Sequence, residues 1–458
     1  MDLAQIVSVL IFGITFYYIL TERIHRAVIA FVGASVMVTV GILMGFYSAE
    51  RAVELIDFNT VGLLFGMMML VALMEETGVF QYLGVYVARK TKGNPWLLLI
   101  SLGLLTAFLS MILDNVTTIV LITPITIIIA RLISISPLPL LMGEAILSNV
   151  GGVGTLVGDP PNIMIGSASA AGFSFNTFLV YALPVALVSL AVVLVIYRFL
   201  FKEELSQEPQ DIERLMAMNP ADAVKDPVKL KKLLLVFAAV IAMFFLHSLV
   251  HMEPSTIALL GAAVALLVVR GKEDPHQIIQ KTELSVLLFF ASLFIIVGGM
   301  EETGVLAIVG ELITGSATSN FLMTAIVILW VSAVMSAIVD NIPFTVAMIP
   351  IIGYLAASGM PVDLLWWALV FGVGFGGNGT PIGSSAGVIV MSKSEETDEP
   401  ITFKSWMKSG LVATFASLIV ATGAIWMYYT FEWVELPDPD VHYEFGAVVQ
   451  ASTHNAGH

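Results

Sequence analysis

One pattern, an Asp-Asn pair set in the middle of a long apolar run, occurs twice and constrains this chain more than any other feature. Residues 110–125 read SMILDNVTTIVLITPI and residues 336–351 read SAIVDNIPFTVAMIPI, each with a Pro ten residues after the Asp. Asp114 and Asp340 lie 226 residues apart, and the same offset carries Met74-Glu75-Glu76-Thr77-Gly78-Val79 onto Met300-Glu301-Glu302-Thr303-Gly304-Val305. GTLVG at 154–158 meets GTPIG at 379–383 at an offset of 225. The chain is two related halves, and each puts one carboxylate where carboxylates are costly.

The surroundings of these pairs are bilayer-like. Apolar residues make up 58% of the chain and charged residues 12%, against roughly a quarter charged in soluble domains. Uncharged runs longer than 18 residues recur, which excludes soluble globular and nucleic-acid-binding classes. Zero Cys excludes disulfides, thiolate metal sites and cysteine nucleophiles. Residues 6–20 lack a basic n-region and a small-residue cleavage site, and read as a retained first span.

The expected fold is an all-α polytopic membrane protein with two inverted repeats of five spans, each repeat carrying a re-entrant hairpin and an interrupted helix. Ten spans are expected at about 4–20, 27–47, 60–80, 139–170, 178–201, 232–251, 256–270, 284–304, 363–391 and 408–430. The first repeat covers 1–201, a cytoplasmic linker 202–231, the second repeat 232–430 and an acidic tail 431–458. The apolar stretches 95–131 and 319–357 are too long for one span and are polar at their centres. Arms of about 16 residues at ~1.5 Å each give roughly 24 Å, short of a ~30 Å hydrocarbon core. They therefore read as hairpins with Asp114 and Asp340 at their tips; twelve full spans is the alternative. Threading the chain through the membrane puts 19 of the 20 Lys and Arg residues on one side, with Arg51 alone on the other. That side is expected to be cytoplasmic, with both termini outside a cell (inner) membrane. Five spans plus a hairpin separate equivalent points, so the second half enters inverted, an architecture of secondary transporters.

Candidate site residues cluster at the tips and at two glycine-rich interruptions. Ser148-Asn149-Val150-Gly151-Gly152-Val153-Gly154-Thr155, followed by Gly158-Asp159-Pro160-Pro161-Asn162, cannot be continuous helix. Neither can Gly374-Phe375-Gly376-Gly377-Asn378-Gly379-Thr380-Pro381 with Gly383-Ser384-Ser385. Broken backbone at membrane depth has to be buried or to line a cavity. Asp114, Asn115, Thr117, Thr118, Asn149, Thr155, Asp159 and Asn162 offer hard oxygen ligands in the first half. Asp340, Asn341, Thr345, Asn378, Thr380 and Ser384 do so in the second. Such oxygens suit Na+ at the tip aspartates Asp114 and Asp340, and a proton competes for the same carboxylate, because a buried charge must be neutralised. No Lys, Arg or His lies within the hairpin cores or broken helices, which favours a small cation over a multivalent anion. Thr117 and Thr118 correspond to Pro343 and Phe344, Asp159 to Ser384 and Asn162 to Gly387, so the first half has the denser oxygen set.

The stretches DNVTTIVLITP, SNVGGVGTLVGDPPNIMIGSA, DNIPFTVAMIP and GGNGTPIGSSAGVIVMS resemble the ion transporter superfamily. They are most similar to its ArsB/NhaD-type permeases, including the branch of the melanosomal P protein. The resemblance spans about residues 5 to 430. It implies inverted repeats, a homodimer, an elevator-like movement of a transport domain and Na+ and H+ as coupling or transported ions, with no other cofactor. Members of the superfamily move Na+ against H+, arsenite, or dicarboxylates and other anions. Asp114-Asn115-Val116-Thr117-Thr118 is similar to the corresponding NhaD stretch and favours Na+(Li+)/H+ antiport. Gly387 departs from the P-protein-like pattern, which has Asn there, and Asp-Asn replaces the Ser-Asn-Thr tips of the sodium–dicarboxylate branch. The expected partners are a small ion and the lipid bilayer, with no nucleic acid.

Plainer readings exist for each residue. Asp114 and Asp340 can cap the second arm of their hairpins, and Asp159 can be a turn residue. Glu75, Glu76, Glu301 and Glu302 read as solvated span ends. His247 and His251 are one turn apart without a third ligand. Two intramembrane aspartates also suit an aspartyl protease, but the Gly-x-Gly-Asp signature is absent at both, and an inverted copy of each Asp is explained by transport. No enzyme is expected.

Overall fold

A computed structural model describes residues 1–21, 24–168, 173–269, 282–306, 308, 320–357 and 360–436. Among the described residues the regular structure is entirely helical. The first repeat comprises α1 (Leu3–Thr21), α2 (Arg26–Met44), α3 (Ala49–Glu54), α4 (Phe58–Glu75), α5 (Val79–Lys90), α6 (Pro95–Ser110), α7 (Asn115–Leu132), α8 (Leu138–Gly152), α9 (Pro160–Ala168) and α10 (Phe175–Leu200). After α11 (Ile212–Ala217) in the connecting segment, the second comprises α12 (Pro227–Val250), α13 (Pro254–Val269), α14 (Leu284–Glu302), α15 (Phe321–Ile338), α16 (Asn341–Ala357), α17 (Asp363–Gly376), α18 (Ser385–Ser394) and α19 (Phe403–Thr430).

Local chemistry explains the ends of these helices. Asn94 caps α6 with Pro95 behind it, Asp226 caps α12 with Pro227 behind it, and Ser174 and Thr402 open α10 and α19 with capping boxes. Eight of the described helices are long and apolar enough to cross a bilayer. Hydrophobic side chains such as Leu43, Val180, Phe199, Leu235, Leu249 and Phe415 point outward, as lipid-facing residues do.

The repeats pack as a two-fold pair. α4 lies against α13 and α14 against α2; α9 lies against α16 and α18 against α7. Within each repeat the first hairpin arm lies along the broken helix, α6 on α8 and α15 on α17. This reciprocity is the mark of an isologous interface. Small residues allow the approach: a Cβ on Gly151 would sit 2.5 Å from the Ala107 carbonyl oxygen, and one on Gly376 2.5 Å from that of Ala333.

Three expectations change. The hairpin arms are not uniformly 16 residues: α6 is 16, but α7 and α15 are 18 and α16 is 17. Pro124 and Pro350 sit inside the second arms, each removing a backbone hydrogen bond. The expected span 60–80 stops at Glu75, because Gly78 takes a left-handed conformation (φ 81°) and starts a separate amphipathic helix, α5. Finally, the Glu residues at the span ends are not all free: Glu76 pairs with Lys229 at 3.0 Å and Glu302 with Arg51 at 2.7 Å. The connecting segment is held against the first repeat, with Lys225 N–H donating to Thr77 O and Gln210 N–H to Ile133 O. Parts of the expected span 256–270, the hairpin stretch 319–357 and the tail 431–458 lie outside the described residues.

Candidate functional site

The helix interruptions meet at the centre of the molecule. Helix α8 stops at Gly152 and α9 starts at Pro160; α17 stops at Gly376 and α18 starts at Ser385. The first loop is buried and the second is buried apart from Thr380 and Ile382, and each is bolted to the tip of its own hairpin by an equivalent threonine. Thr155 Oγ1 donates to the Met111 carbonyl, and Thr380 Oγ1 donates to the Ala337 carbonyl at 2.5 Å. In the first loop Asn162 Nδ2 also donates to the carbonyls of Thr155 (2.8 Å) and Gly152 (3.1 Å), satisfying orphaned helix-end acceptors. The second loop has Gly387 there, which leaves no room for a side chain: a Cβ would lie 2.6 Å from Pro381 O. The Trp406 indole on α19 supports that loop instead, donating to Asn378 O at 3.0 Å.

Six of the expected residues come together in one buried cluster. Asn149 Nδ2 donates to Asn378 Oδ1 and to Ser384 Oγ, both at 2.8 Å. Asn115 Nδ2 donates to Asn149 Oδ1 at 3.0 Å and approaches Asp159 Oδ1 at 3.5 Å. Asn341 Nδ2 donates to both oxygens of Asp159, at 3.2 and 3.3 Å. Both repeats and both hairpins thus converge on Asp159, which is fully buried. Among the described residues it has no cationic partner: its hydrogen-bond donors are neutral amides, and the carboxyls of Asp340 and Asp114 lie near it.

The two tip aspartates diverge. Asp114 caps α7: Oδ1 accepts from Thr117 N–H at 2.8 Å and Oδ2 from Thr117 Oγ1 at 2.6 Å. Asp340 instead meets the Arg26 guanidinium at 2.5 Å, and Ser385 Oγ donates to the same oxygen at 3.1 Å. Arg26 Nη1 reaches Ser385 Oγ at 2.7 Å as well. These groups line a cavity of about 290 Å³ with Glu283, Val116 and Ile389. Across the two-fold lies a cavity of about 500 Å³ lined by His247, His251, Glu253, Leu156 and Ile163. The first opens beside the second hairpin tip, and the other beside the ends of α12 and α9. Thr118 and Thr345 stay outside the cluster. Thr345 Oγ1 donates to the Asn341 carbonyl of its own helix, and Thr118 Oγ1 is buried on α7 without a partner.

Sequence reasoning missed two residues. Arg26 falls between the first two expected spans as one more basic residue of the cytoplasmic side, and nothing local distinguishes it, since its partner is 314 positions away. Glu144 is buried in α8, where Thr126 Oγ1 donates to its Oε1 and its Oε2 has no partner. Its signal was available: it is the single charged residue between Arg131 and Asp159.

Known proteins are consistent with this arrangement. The chain is 36% identical over 432 residues to a 46 kDa membrane protein of Mycobacterium leprae, covering 93% of this chain and 99% of that one. It is 37% identical over 431 residues to an uncharacterized transporter of Mycobacterium tuberculosis, with the same coverage. It is 32% identical over 480 residues to the human P protein, covering 88% of this chain and 57% of that protein. The crystal structure of the Alcanivorax borkumensis YdaH transporter, described as having an unusual topology, superposes with a TM-score of 0.63 at 15% identity, covering 90% of this chain and 99% of that one. That likeness concerns the fold alone. The family model described as "Citrate transporter" matches residues 16–372. This chain is a multi-pass membrane transporter and belongs to the citrate transporter family.

Proposed function

We propose that this transporter exchanges a small cation, Na+ or Li+, for protons, with Asp159 as the central ligand and Asp114 at the entrance to the same site. The observation that carries the reading is the isolation of Asp159. A fully buried carboxylate whose hydrogen-bond donors, among the described residues, are the amides of Asn115 and Asn341 leaves its charge uncompensated by the protein. Something that arrives from solution must balance it, and a monovalent cation and a proton are the two simplest candidates. Their mutual exclusion at one carboxylate is enough to couple their movements. The amide oxygens of Asn149 and Asn378 and the hydroxyl of Ser384 supply hard oxygen donors nearby. The two-fold arrangement of the repeats and the pair of cavities beside opposite helix ends support alternating access, with the hairpins and broken helices moving as one transport domain; a homodimer in an inner membrane is the assembly proposed from the family resemblance.

A second reading is cation-coupled uptake of a carboxylate anion. Arg26 favours it, being a guanidinium at the edge of a cavity beside the centre, and so does the description of the family. Proteoliposomes with a trapped pH dye separate the two. Added Na+ or Li+ is expected to drive proton movement that is lost in Asp159→Asn. Silence toward every cation, with citrate, a dicarboxylate or arsenite carried instead, would overturn the exchanger and select the second reading.

A further inference from the structure

We propose that Glu144, with Thr126, is a proton-binding site separate from the central cluster, set among buried hydroxyls found only in the first repeat. The inference rests on the proton-coupled reading above for its role in transport, but not for its chemistry. Glu144 lies one helical turn and a half before Asn149 on α8, inside the packing of α7 on α8. Thr126 Oγ1 donates to one carboxyl oxygen, and the other is buried with no partner, so an O–H has an open place there. On α7, Thr123 and Thr118 carry buried hydroxyls without partners, spread over about 12 Å from Thr126 to Thr118 at ~1.5 Å per residue and not hydrogen-bonded to one another. Glu144 lies nearer the ends of α7 and α8 that the charge count assigns to the cytoplasm, and the central cluster lies at their other ends.

The second repeat supplies an internal control. The positions equivalent to Thr118, Thr123, Thr126 and Glu144 are Phe344, Ile349, Ile352 and Leu369. Ile352 and Leu369 are fully buried. The fold therefore accommodates an ordinary apolar pair at this place, and the polar pair in the first repeat carries the cost of burial without being needed for packing.

Among the described residues no charged group pairs with Glu144. Helix α6 has no titratable side chain. Helix α7 offers Arg131, exposed in its last turn. Helix α10 offers Tyr181, Arg198 and Tyr197, the last beside Gly143. Helices α17, α18 and α19 offer Asp363, Lys393, Lys404, Lys408, Tyr428 and Tyr429. Among the described residues none of these forms an ion pair with Glu144.

Infrared difference spectroscopy on the reconstituted protein reads the proton directly, without any substrate. A carboxylic-acid C=O component that persists in Asp114→Asn/Asp159→Asn, and so belongs to neither of those buried carboxyls, should disappear as the pH is raised from about 5 to about 10. It should be missing in Glu144→Gln and in the double variant Glu144→Leu/Thr126→Ile, which copies the second repeat and should fold normally. Proton flux should fall by about tenfold or more in both variants, while sodium-for-sodium exchange at equal pH is retained. A band that never changes with pH, or that survives in both variants, would overturn the site. A normal titrating band in a protein that moves protons with no substrate would leave the site standing and defeat the antiport reading instead.

Discussion

Arg26, in the first turn of α2, holds Asp340 at 2.5 Å, whereas the sister aspartate Asp114 accepts from the N–H and hydroxyl of Thr117 on its own helix. The position equivalent to Arg26 in the second repeat is Met252, at the same offset of 226. The two tips are thus copies in sequence and opposites in charge. One carboxylate is already occupied by a tethered cation, and the other is left to cap a helix beside the empty-handed Asp159.

Arg26→Met should leave Asp340, one of whose oxygens is already buried without a partner, facing a cavity with no compensating charge. The ion pair is partly exposed, with side chains 30% and 16% accessible, so a fully buried pair's cost does not apply. The loss should be about 1–2 kcal/mol of stability, and the double variant Arg26→Met/Asp340→Asn should recover at least half of it. Thermal unfolding in detergent for the four proteins checks this, and additive losses would show that the pair is not energetically coupled.

The three intramembrane aspartates should rank by their partners. Asp159→Asn keeps the shape of the side chain but removes the only charge in the cluster, so cation-driven transport should fall by about a hundredfold or more. Asp114→Asn keeps an acceptor for the Thr117 N–H and should be milder, by about tenfold. Asp340→Asn removes a charge that Arg26 already neutralises and should be mildest. Initial rates at matched protein amounts in proteoliposomes give the order; equal losses would contradict the asymmetry between the halves.

The glycines give a sharper packing test. Gly374 faces Val153 across the two-fold, and a Cβ there would meet the Val153 methyl at 2.2 Å. The sister contact puts Asn149 against Asn378 at 2.8 Å. One arrangement thus serves a polar pair at one place and a glycine–valine pair at the other. Gly374→Ala should destabilise by about 1–3 kcal/mol and be largely rescued by Val153→Ala, since the clash is with a side chain. Gly151→Ala should cost more, with no side-chain rescue, because its Cβ would strike the backbone of Ala107. Paired melting curves of the single and double variants decide it.

The duplicated Asp-Asn tips and the glycine interruptions were legible because each violates what lipid tolerates, a charge or a broken backbone in an apolar run. That is why Asn115, Asn149, Asp159, Asn341, Asn378 and Ser384 could be gathered before their contacts were seen. Half of the divergence between Asp114 and Asp340 is local, since Thr117 offers an N–H and a hydroxyl where Pro343 offers neither; the other half, the Arg26 partner of Asp340, is distant. Arg26 looked like any basic residue at a span end. Thr118 and Thr345 looked like ligands because residue type says nothing about which way a helix is turned. Helix α5 is hidden for another reason: its start depends on the left-handed backbone at Gly78, and Glu75-Glu76-Thr77-Gly78 reads as the close of one span rather than the opening of another helix.

Gly78 also supplies the last test, of how the two repeats are tied together. Its φ of 81° disfavours any side chain, and a built Cβ would fall 1.8 Å from the carbonyl oxygen of Ala223 in the connecting segment. That close approach adjoins the Lys225 N–H to Thr77 O bond and the Glu76–Lys229 ion pair, whose side chains are only 16% and 13% accessible. Gly78→Ala must therefore push residues 220–225 off the end of α4 as well as strain its own backbone, a combined cost of about 2–4 kcal/mol. The central cluster lies on other helices and should keep its geometry. The expected result is faster proteolytic cleavage within 202–226 with the two fragments still associated, since α4 on α13 and α2 on α14 hold the repeats together independently. Unchanged cleavage would mean that the segment is not docked through Gly78, and separation of the fragments would mean that the repeats depend on it.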